Sequence, residues 1–318
     1  ATWQAQSPEK ESLQWPDPLP PGFDDFITAG RRLVLIGGKG GVGKTTVAAA
    51  IAWGMAARHP DATVRVISID PAHSLGDAFE TALHHKPTQL TGNLMAQEVD
   101  ADTVLEQFRE DYLWELAEMM SGDTEASGLQ IAYGPEGWRK IVAQALPGID
   151  EILSLITIVD LLAQDQAQLI VLDTAPTGHL LRFLEMPTAL GDWLAWIFKL
   201  WIKYQDVVGH TDLMSRLRTL RKEVMLAQQR LTDPNYTEFV GVVQNQSAIL
   251  AEAQRLTQTL SNMGVSQPYL VHNRYESGQT SLQAQFPHQT LVRLPVLPDS
   301  VGPLAQVKGA ADLLFLKS

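Results

Sequence analysis

The chain has 318 residues, 45% of them hydrophobic, which is enough to fill the core of one large α/β domain or of two ordinary domains. Its 36 acidic and 24 basic residues leave a net charge of −12, which argues against binding to nucleic acid. The sequence contains no Cys, and this excludes disulfides, thiolate metal sites and cysteine nucleophiles. No apolar run reaches the roughly 18 residues needed to cross a bilayer, so we expect no transmembrane span.

Residues 1–29 contain five prolines and little apolar periodicity, which predicts an extended or disordered arm. The arm has five acidic residues and one lysine, unlike an Arg-rich organellar transit peptide, and it has no signal-peptide hydrophobic region. We therefore expect a cytoplasmic protein whose arm is loosely held.

A glycine-rich loop, GGKGGVGKTT, lies between a short apolar run at residues 32–36 and a helical stretch at residues 47–58. It contains the pattern G-x-x-x-x-G-K-[ST], whose glycines let backbone N–H groups converge on phosphate oxygens at a helix N-terminus. We expect Lys44 to reach the β- and γ-phosphates of ATP and Thr45 to bind Mg²⁺. The predicted nucleotide-binding residues of the loop are Gly38, Lys39, Gly40, Gly41, Val42, Gly43, Lys44, Thr45 and Thr46.

Lys39 is a second lysine near the start of this loop, and the nucleotide can be held from its own side without it. In proteins with this variant loop, the extra lysine reaches across a dimer to the partner's nucleotide, so Lys39 predicts a catalytic role in a homodimer. A solvated lysine flanked by glycines is the alternative.

Two further β-rich runs lead into an aspartate, residues 63–69 into Asp70 and residues 168–172 into Asp173. Ligands of doubly wound sheets bind beyond the carboxyl ends of the strands, so Asp70 is placed to orient or deprotonate an attacking water. By itself, Asp70 is equally suited to capping the next helix. Asp173 fits the Walker B pattern and is expected to hold a magnesium-bound water, with the Gly178 N–H near the γ-phosphate.

Three more β-rich runs, at residues 239–244, 269–272 and 290–294, are separated by helical segments. The expected fold class is α/β, with a doubly wound, mostly parallel sheet of the P-loop NTPase type and an inserted α-helical subdomain. The NTPase domain is predicted to comprise residues 30–102, 166–187 and 236–318, and the helical subdomain residues 103–165 and 188–235.

The segments GKGGVGKTT, SIDPAHSLGDAF and IVLDTAPTGHLLRFLEMP resemble the phosphate loop, first switch and second switch of one family, in the same order and spacing. This is the ArsA/Get-type family of arsenite-pump ATPases and tail-anchored-protein targeting ATPases, and the resemblance extends from about residue 32 to the C-terminus. It implies that Asp70 is the water-activating acid and that Asn273 and Pro295 contact adenine. Where targeting members usually have Asn after the switch His, this chain has Ser74, and the absence of Cys removes the zinc clasp and the metalloid-binding thiols.

The segment LGDWLAWIFKLWIKY, at residues 190–204, has almost no polar face, so it must be buried in a core or cover an apolar partner. In the targeting branch of the family such helices form a dimer-spanning groove for a transmembrane segment. We therefore predict a groove for a hydrophobic client, with a membrane receptor as a further expected partner; packing within the insert's own core is the alternative. The candidate client-binding residues are Trp193, Trp196, Ile197, Leu200 and Trp201.

These observations predict a Mg²⁺-dependent ATPase whose nucleotide-driven homodimer opens and closes an apolar helical groove for membrane-protein clients. Two other functions stay open at this point. One is the energising subunit of an anion efflux pump, and the other is a nucleotide switch that recruits or positions a protein.

Overall fold

A computed structural model describes residues 15–70, 72, 74–99, 167–174, 176–204 and 211–316. The strands are β1 (Leu33–Gly37), β2 (Val64–Ser68), β3 (Thr88–Gln89), β4 (Leu94–Glu98), β5 (Leu169–Asp173), β6 (Thr237–Val243), β7 (Tyr269–Tyr275) and β8 (Thr290–Pro295). The α-helices are α1 (Lys44–Arg58), α2 (Leu75–Phe79), α3 (Thr177–Tyr204), α4 (Thr211–Thr232), α5 (Ser247–Asn262) and α6 (Pro303–Leu314), with a 3-10 turn at Leu282–Ala284.

The described strands form one sheet in the order β3-β4-β2-β5-β1-β6-β7-β8. Every pair is parallel except β3–β4, which is antiparallel at the edge. Strands β1, β2 and β5 are buried along their whole length, as expected for strands covered on both faces. The predicted fold class, a doubly wound and mostly parallel α/β sheet, is confirmed.

Helices cover the two faces of the sheet with separate hydrophobic cores. One core contains α1, α2 and α6 with the side chains of one sheet face, and the other contains α3, α4 and part of α5 with those of the opposite face. The alternation of strand side chains explains the division, because Val34 and Ile36 join the first core whereas Leu33 and Leu35 join the second.

All six predicted β-rich runs are strands, and their ends differ from expectation by at most three residues. Sequence reasoning missed β3 and β4. Strand β3 has only two residues, and the sequence of β4, LMAQE, shows neither β-branched enrichment nor regular alternation. Strand β4 is buried because it lies between β3 and β2 and pairs with both.

The arm prediction is wrong for its described second half. Phe23 and Phe26 are buried, and their rings pack against those of Tyr269 and Phe315. The backbone N–H of Phe23 also donates to the carbonyl of Leu314. Burial of two phenylalanines, at about 1.5–3 kcal/mol each, favours an ordered segment despite its prolines. Residues 1–14 lie outside the described residues.

Helix α3 runs for 28 residues without interruption, from the second switch segment into the predicted helical subdomain. It therefore crosses the expected boundary between residues 187 and 188, and the domain division stays a prediction. Residues 103–165 of that subdomain lie outside the described residues. Among the helices that the structure describes, none is long and apolar enough to cross a membrane.

Candidate functional site

The carboxyl ends of β1, β2 and β5 lie side by side in the centre of the sheet. Ile36 pairs with Asp173, and Asp173 pairs with Ser68, so these strands end at the same level. The loop that leaves β1 and the segments after Ser68 and Asp173 consequently meet in one place. Parallel sheets bind ligands at this edge, beside the strand where the order of connections reverses.

The glycine loop, residues 38–43, has the backbone geometry of a phosphate cradle. Gly41 and Gly43 have φ values of 79° and 93°, in the left-handed region that glycine adopts at little cost. Val42, between them, buries its side chain in the core and fixes the loop against the sheet. Helix α1 begins at Lys44 directly after Gly43, so the loop leads into a helix N-terminus that favours anions.

Lys44 is buried at the start of α1 and contacts both sides of the site. Its Nζ lies 3.5 Å from the carbonyl oxygen of Lys39 and 3.8 Å from Oδ2 of Asp70. The other carboxylate oxygen of Asp70 accepts a hydrogen bond from the backbone N–H of Ala72, at 3.0 Å. Helix α2 is preceded by Ser74, so Asp70 faces the phosphate loop and does not cap that helix.

Four oxygen-bearing side chains meet beside Lys44. Thr45 Oγ1 donates to Asp173 Oδ2 at 2.8 Å and lies 2.9 Å from Ser74 Oγ, while Ser68 Oγ lies 3.3 Å from Asp173 Oδ2. Thr45 has a single hydroxyl proton, which it gives to Asp173, so the Ser74 hydroxyl is the donor in the second contact. Ser74, the residue that departs from the family pattern, therefore lies directly beside the predicted metal ligand Thr45.

Asp173 is fully buried, and burial raises its pKa to about 7. The hydrogen bonds from Thr45 and Ser68 and the charge of Lys44 lower the pKa, whereas the nearby Asp70 raises it. The second carboxylate oxygen, Oδ1, is buried without a hydrogen-bond partner. An acceptor left unpaired in the interior is costly, which indicates that a further ligand satisfies it when the site is filled.

These oxygens fit Mg²⁺. A magnesium ion prefers hard oxygen ligands and is usually held by one or two protein groups together with phosphates and waters, as Thr45 and Asp173 would allow. A site of this kind does not need three acidic or histidine side chains, and the described residues contain no such cluster.

Comparison with known proteins identifies the family. The model of the family described as anion-transporting ATPase matches residues 31–286. The chain belongs to this ATPase family. The protein named ATPase GET3 from Candida glabrata is 32% identical over 76% of this chain and 71% of its own length. The ATPase ASNA1 homolog of Entamoeba histolytica is 30% identical over 80% of both chains, and ATPase GET3A of Arabidopsis thaliana is 32% identical over 76% of this chain and 66% of its own length.

The two predicted adenine-contacting residues of the ATPase lie near the carboxyl ends of neighbouring strands. Asn273 lies in β7 and Pro295 ends β8, and both are buried. The Asn273 side chain also touches the phosphate loop, since its Nδ2 donates to the carbonyl of Val42 at 2.8 Å. Gly178 lies exposed in the first turn of α3, on the segment that follows Asp173.

Lys39 is 42% exposed in its side chain, and its Nζ lies 3.6 Å from Oε2 of Glu252 in α5. It therefore points outward from the loop and carries an ion pair with its own chain. At this exposure the pair contributes about 0–1 kcal/mol, so the lysine can exchange its partner at little cost.

Two residues of the site carry no motif in the sequence. Glu252 contacts Lys39, and Nε2 of Gln244 lies 3.4 Å from the carbonyl of Gly41. No local pattern identifies them, although the position of Gln244 directly after β6 is one at which ligand-facing residues are expected.

The predicted client-binding residues lie in the second half of α3. Trp193 is half-buried and packs against the core on that face of the sheet. Ile202, near the end of the helix, is 60% exposed. The side chains of Trp196, Ile197, Leu200 and Trp201 lie outside what the structure describes, so the choice between groove and core stays a prediction.

Proposed function

We propose that this ATPase acts in the cytoplasm as a Mg²⁺-dependent homodimer, and that ATP hydrolysis opens and closes an apolar helical surface that binds membrane-protein segments of the tail-anchored kind. The supporting observation is helix α3, which begins four residues after Asp173 and continues for 28 residues into the Trp-rich segment. One continuous helix thus joins the segment after Asp173 to the Trp-rich segment.

The chemistry follows from the site. Asp70 would orient a water for in-line attack on the γ-phosphate, because its carboxylate already lies 3.8 Å from Lys44, which is expected to bind that phosphate. Lys44 would neutralise charge as it develops in the transition state. Thr45 and Asp173 would hold Mg²⁺, which supplies electrostatic stabilisation when it is bound.

The coupling follows from chain connectivity. The first switch segment, which contains Asp70 and Ser74, leads directly into α2, and the second leads directly into α3. Loss of the γ-phosphate would release both segments together, as in other nucleotide switches.

The tail-anchored client is favoured over an anion substrate by two observations. The relatives reported above carry the names GET3 and ASNA1, and the 318 residues contain no Cys, so thiolate binding of arsenite is chemically impossible. Measuring ATPase rates with an apolar helical peptide, an oxyanion and lipid vesicles tests the choice. We expect stimulation by the peptide alone; stimulation by the oxyanion alone would contradict the proposal.

Asp70→Asn is expected to bind ATP with near-normal affinity and to lose at least about 100-fold in turnover, because the amide cannot accept a proton from water. Single-turnover hydrolysis and equilibrium ATP binding measure the two quantities separately. Asp61→Asn, at an exposed acid between α1 and β2 and outside both switch segments, is the matched control. Turnover within a few-fold of the unmodified protein would reject the role of Asp70.

Lys39→Ala is expected to lose hydrolysis and ATP-dependent dimerisation together, whereas ATP binding to the monomer changes little. Light scattering after gel filtration, with and without ATP in the Asp70→Asn background, measures the dimer. Glu252→Gln serves as the control because it removes the ion pair but keeps the lysine. A Lys39→Ala protein that still dimerises with ATP and hydrolyses it at the normal rate would show that the site is complete within one chain.

A further inference from the structure

Two amide side chains hold the phosphate loop from its outer side. Nδ2 of Asn273, in β7, donates to the carbonyl of Val42 at 2.8 Å, and Nε2 of Gln244, directly after β6, donates to the carbonyl of Gly41 at 3.4 Å. Asn273 is 7% exposed and Gln244 is 8% exposed. Both amides are thus fixed parts of the interior, and they bind consecutive carbonyl groups of the loop.

The direction of these carbonyls decides the direction of the neighbouring N–H groups. In a trans peptide unit, the C=O of one residue and the N–H of the next point in opposite directions. When Gln244 holds the Gly41 carbonyl outward, the N–H of Val42 points the opposite way, into the loop. Asn273 has the same effect on the N–H of Gly43. These N–H groups belong to the part of the loop that cradles phosphate.

The orientation of the Asn273 amide is determined by its surroundings. Its Oδ1 accepts a hydrogen bond from the backbone N–H of Arg274 at 2.9 Å, so a flipped amide would place two donors against each other. Gly43 makes the approach possible, because a Cβ at this position would overlap Nδ2 of Asn273. The glycine is therefore required by the amide as well as by its own φ of 93°.

We propose that Gln244 and Asn273 are positioning residues that preset the phosphate-binding N–H groups of Val42 and Gly43 before nucleotide arrives. This extends the role of Asn273 beyond an adenine contact and gives Gln244 a role in the ATPase. It rests on nucleotide binding by one chain and does not depend on dimerisation or on a client, so the two proposals can fail independently.

A ligand without a base separates loop positioning from adenine recognition. The experiment measures the dissociation constants of ATP and of inorganic tripolyphosphate, both with Mg²⁺, for the unmodified protein and for Asn273→Ala and Gln244→Ala. A net hydrogen bond changes affinity by roughly two- to tenfold. We expect Asn273→Ala to weaken both ligands by about tenfold and Gln244→Ala, whose bond is longer, by about threefold.

Control variants keep the result interpretable. Gln229→Ala, at an exposed position in α4, should leave both constants unchanged. Asn273→Leu and Gln244→Met keep about the same side-chain size without adding charge, but they cannot donate to a carbonyl, so they should reproduce the losses. These variants replace the alanine variants in the test if an alanine variant does not fold. Weaker ATP binding with normal tripolyphosphate binding would reduce Asn273 to a base contact, and unchanged binding of both ligands would equally overturn the proposal.

Discussion

The carboxyl group of Asp173 lies where the phosphate loop meets the two switch segments. It is fully buried, and burial disfavours its ionised form. Burial raises its pKa to about 7, although Thr45, Ser68 and Lys44 all favour the charged form. The nucleotide-free site therefore exchanges a proton near neutral pH. Metal binding requires the ionised carboxylate, so loading of the site should release a proton.

Asp173→Asn is expected to stabilise the nucleotide-free protein by more at pH 8 than at pH 5. The pKa of Asp173 in the folded state lies above the ordinary aspartate value of 3.8, so the folded chain binds more protons than the unfolded chain between about pH 4 and pH 7. The contribution of Asp173 to the free energy of unfolding is consequently complete below pH 4 and lost as the pH rises through about 7. At pH 8 the gain for the variant should be roughly 2–4 kcal/mol.

Urea unfolding at the two pH values measures this effect. Ser68→Ala, which removes one hydrogen bond to Asp173 but keeps the carboxyl, is the control and should not be stabilised at pH 8. An equal change for Asp173→Asn at both pH values would contradict a neutral carboxyl at pH 5.

At the scale of elements, α4 shows how a helix of low overall hydrophobicity is held in place. Its apolar residues recur at alternating spacings of three and four, which places them on one face. The residues of this stripe, Leu217, Leu220, Val224, Ala227 and Leu231, are all buried. The helix ends at Thr232, before the sequence DPN, as the position of Pro234 predicts.

Leu220→Ala is expected to lower the free energy of unfolding by about 2–4 kcal/mol, because the side chain is 2% exposed and its removal leaves a cavity. Chemical denaturation followed by circular dichroism measures the change. Leu226→Ala is the matched control in the same helix, since Leu226 is 40% exposed and should cost less than about 1 kcal/mol. Equal losses for the two variants would show that the buried stripe does not hold α4.

At the scale of the whole molecule, the segment before β1 packs against residues that follow α6. The ring of Phe26 packs edge-to-face against Tyr269 of β7 and Phe315 just after α6, so one aromatic cluster joins residues almost 290 positions apart. Nearby, His59 Nε2 lies 2.6 Å from Oδ2 of Asp25, and this hydrogen bond connects the arm to the end of α1.

Phe26→Ala is therefore expected to lower the free energy of unfolding by about 3–5 kcal/mol, whereas a flexible arm would contribute nothing. Thermal and urea unfolding check the value. Trp15→Ala, which removes a partly exposed aromatic of the same segment, provides the comparison and should cost less. A loss below about 1 kcal/mol for Phe26→Ala would contradict this packing and would support the loosely held arm that the composition suggests.

Local sequence patterns predicted the phosphate loop, the six main strands and the aspartates that follow two of them. These features depend on short-range physics: glycines that allow positive φ, β-branched runs that form buried strands, and acids at strand ends. The apolar stripe of α4 also depends on short-range physics, because helical periodicity is a property of residues close together in the sequence.

The tertiary structure decided what no local pattern contains. Gln244 reaches Gly41, Asn273 reaches Val42 and Glu252 reaches Lys39 only because the parallel sheet brings residues more than 200 positions apart to one edge. Strand β4 and the buried Phe23 and Phe26 were missed for the same reason, since their burial depends on neighbours distant in sequence. The sequence alone thus determined which chemistry the site performs, and the packing of the sheet determined which side chains hold that site in shape.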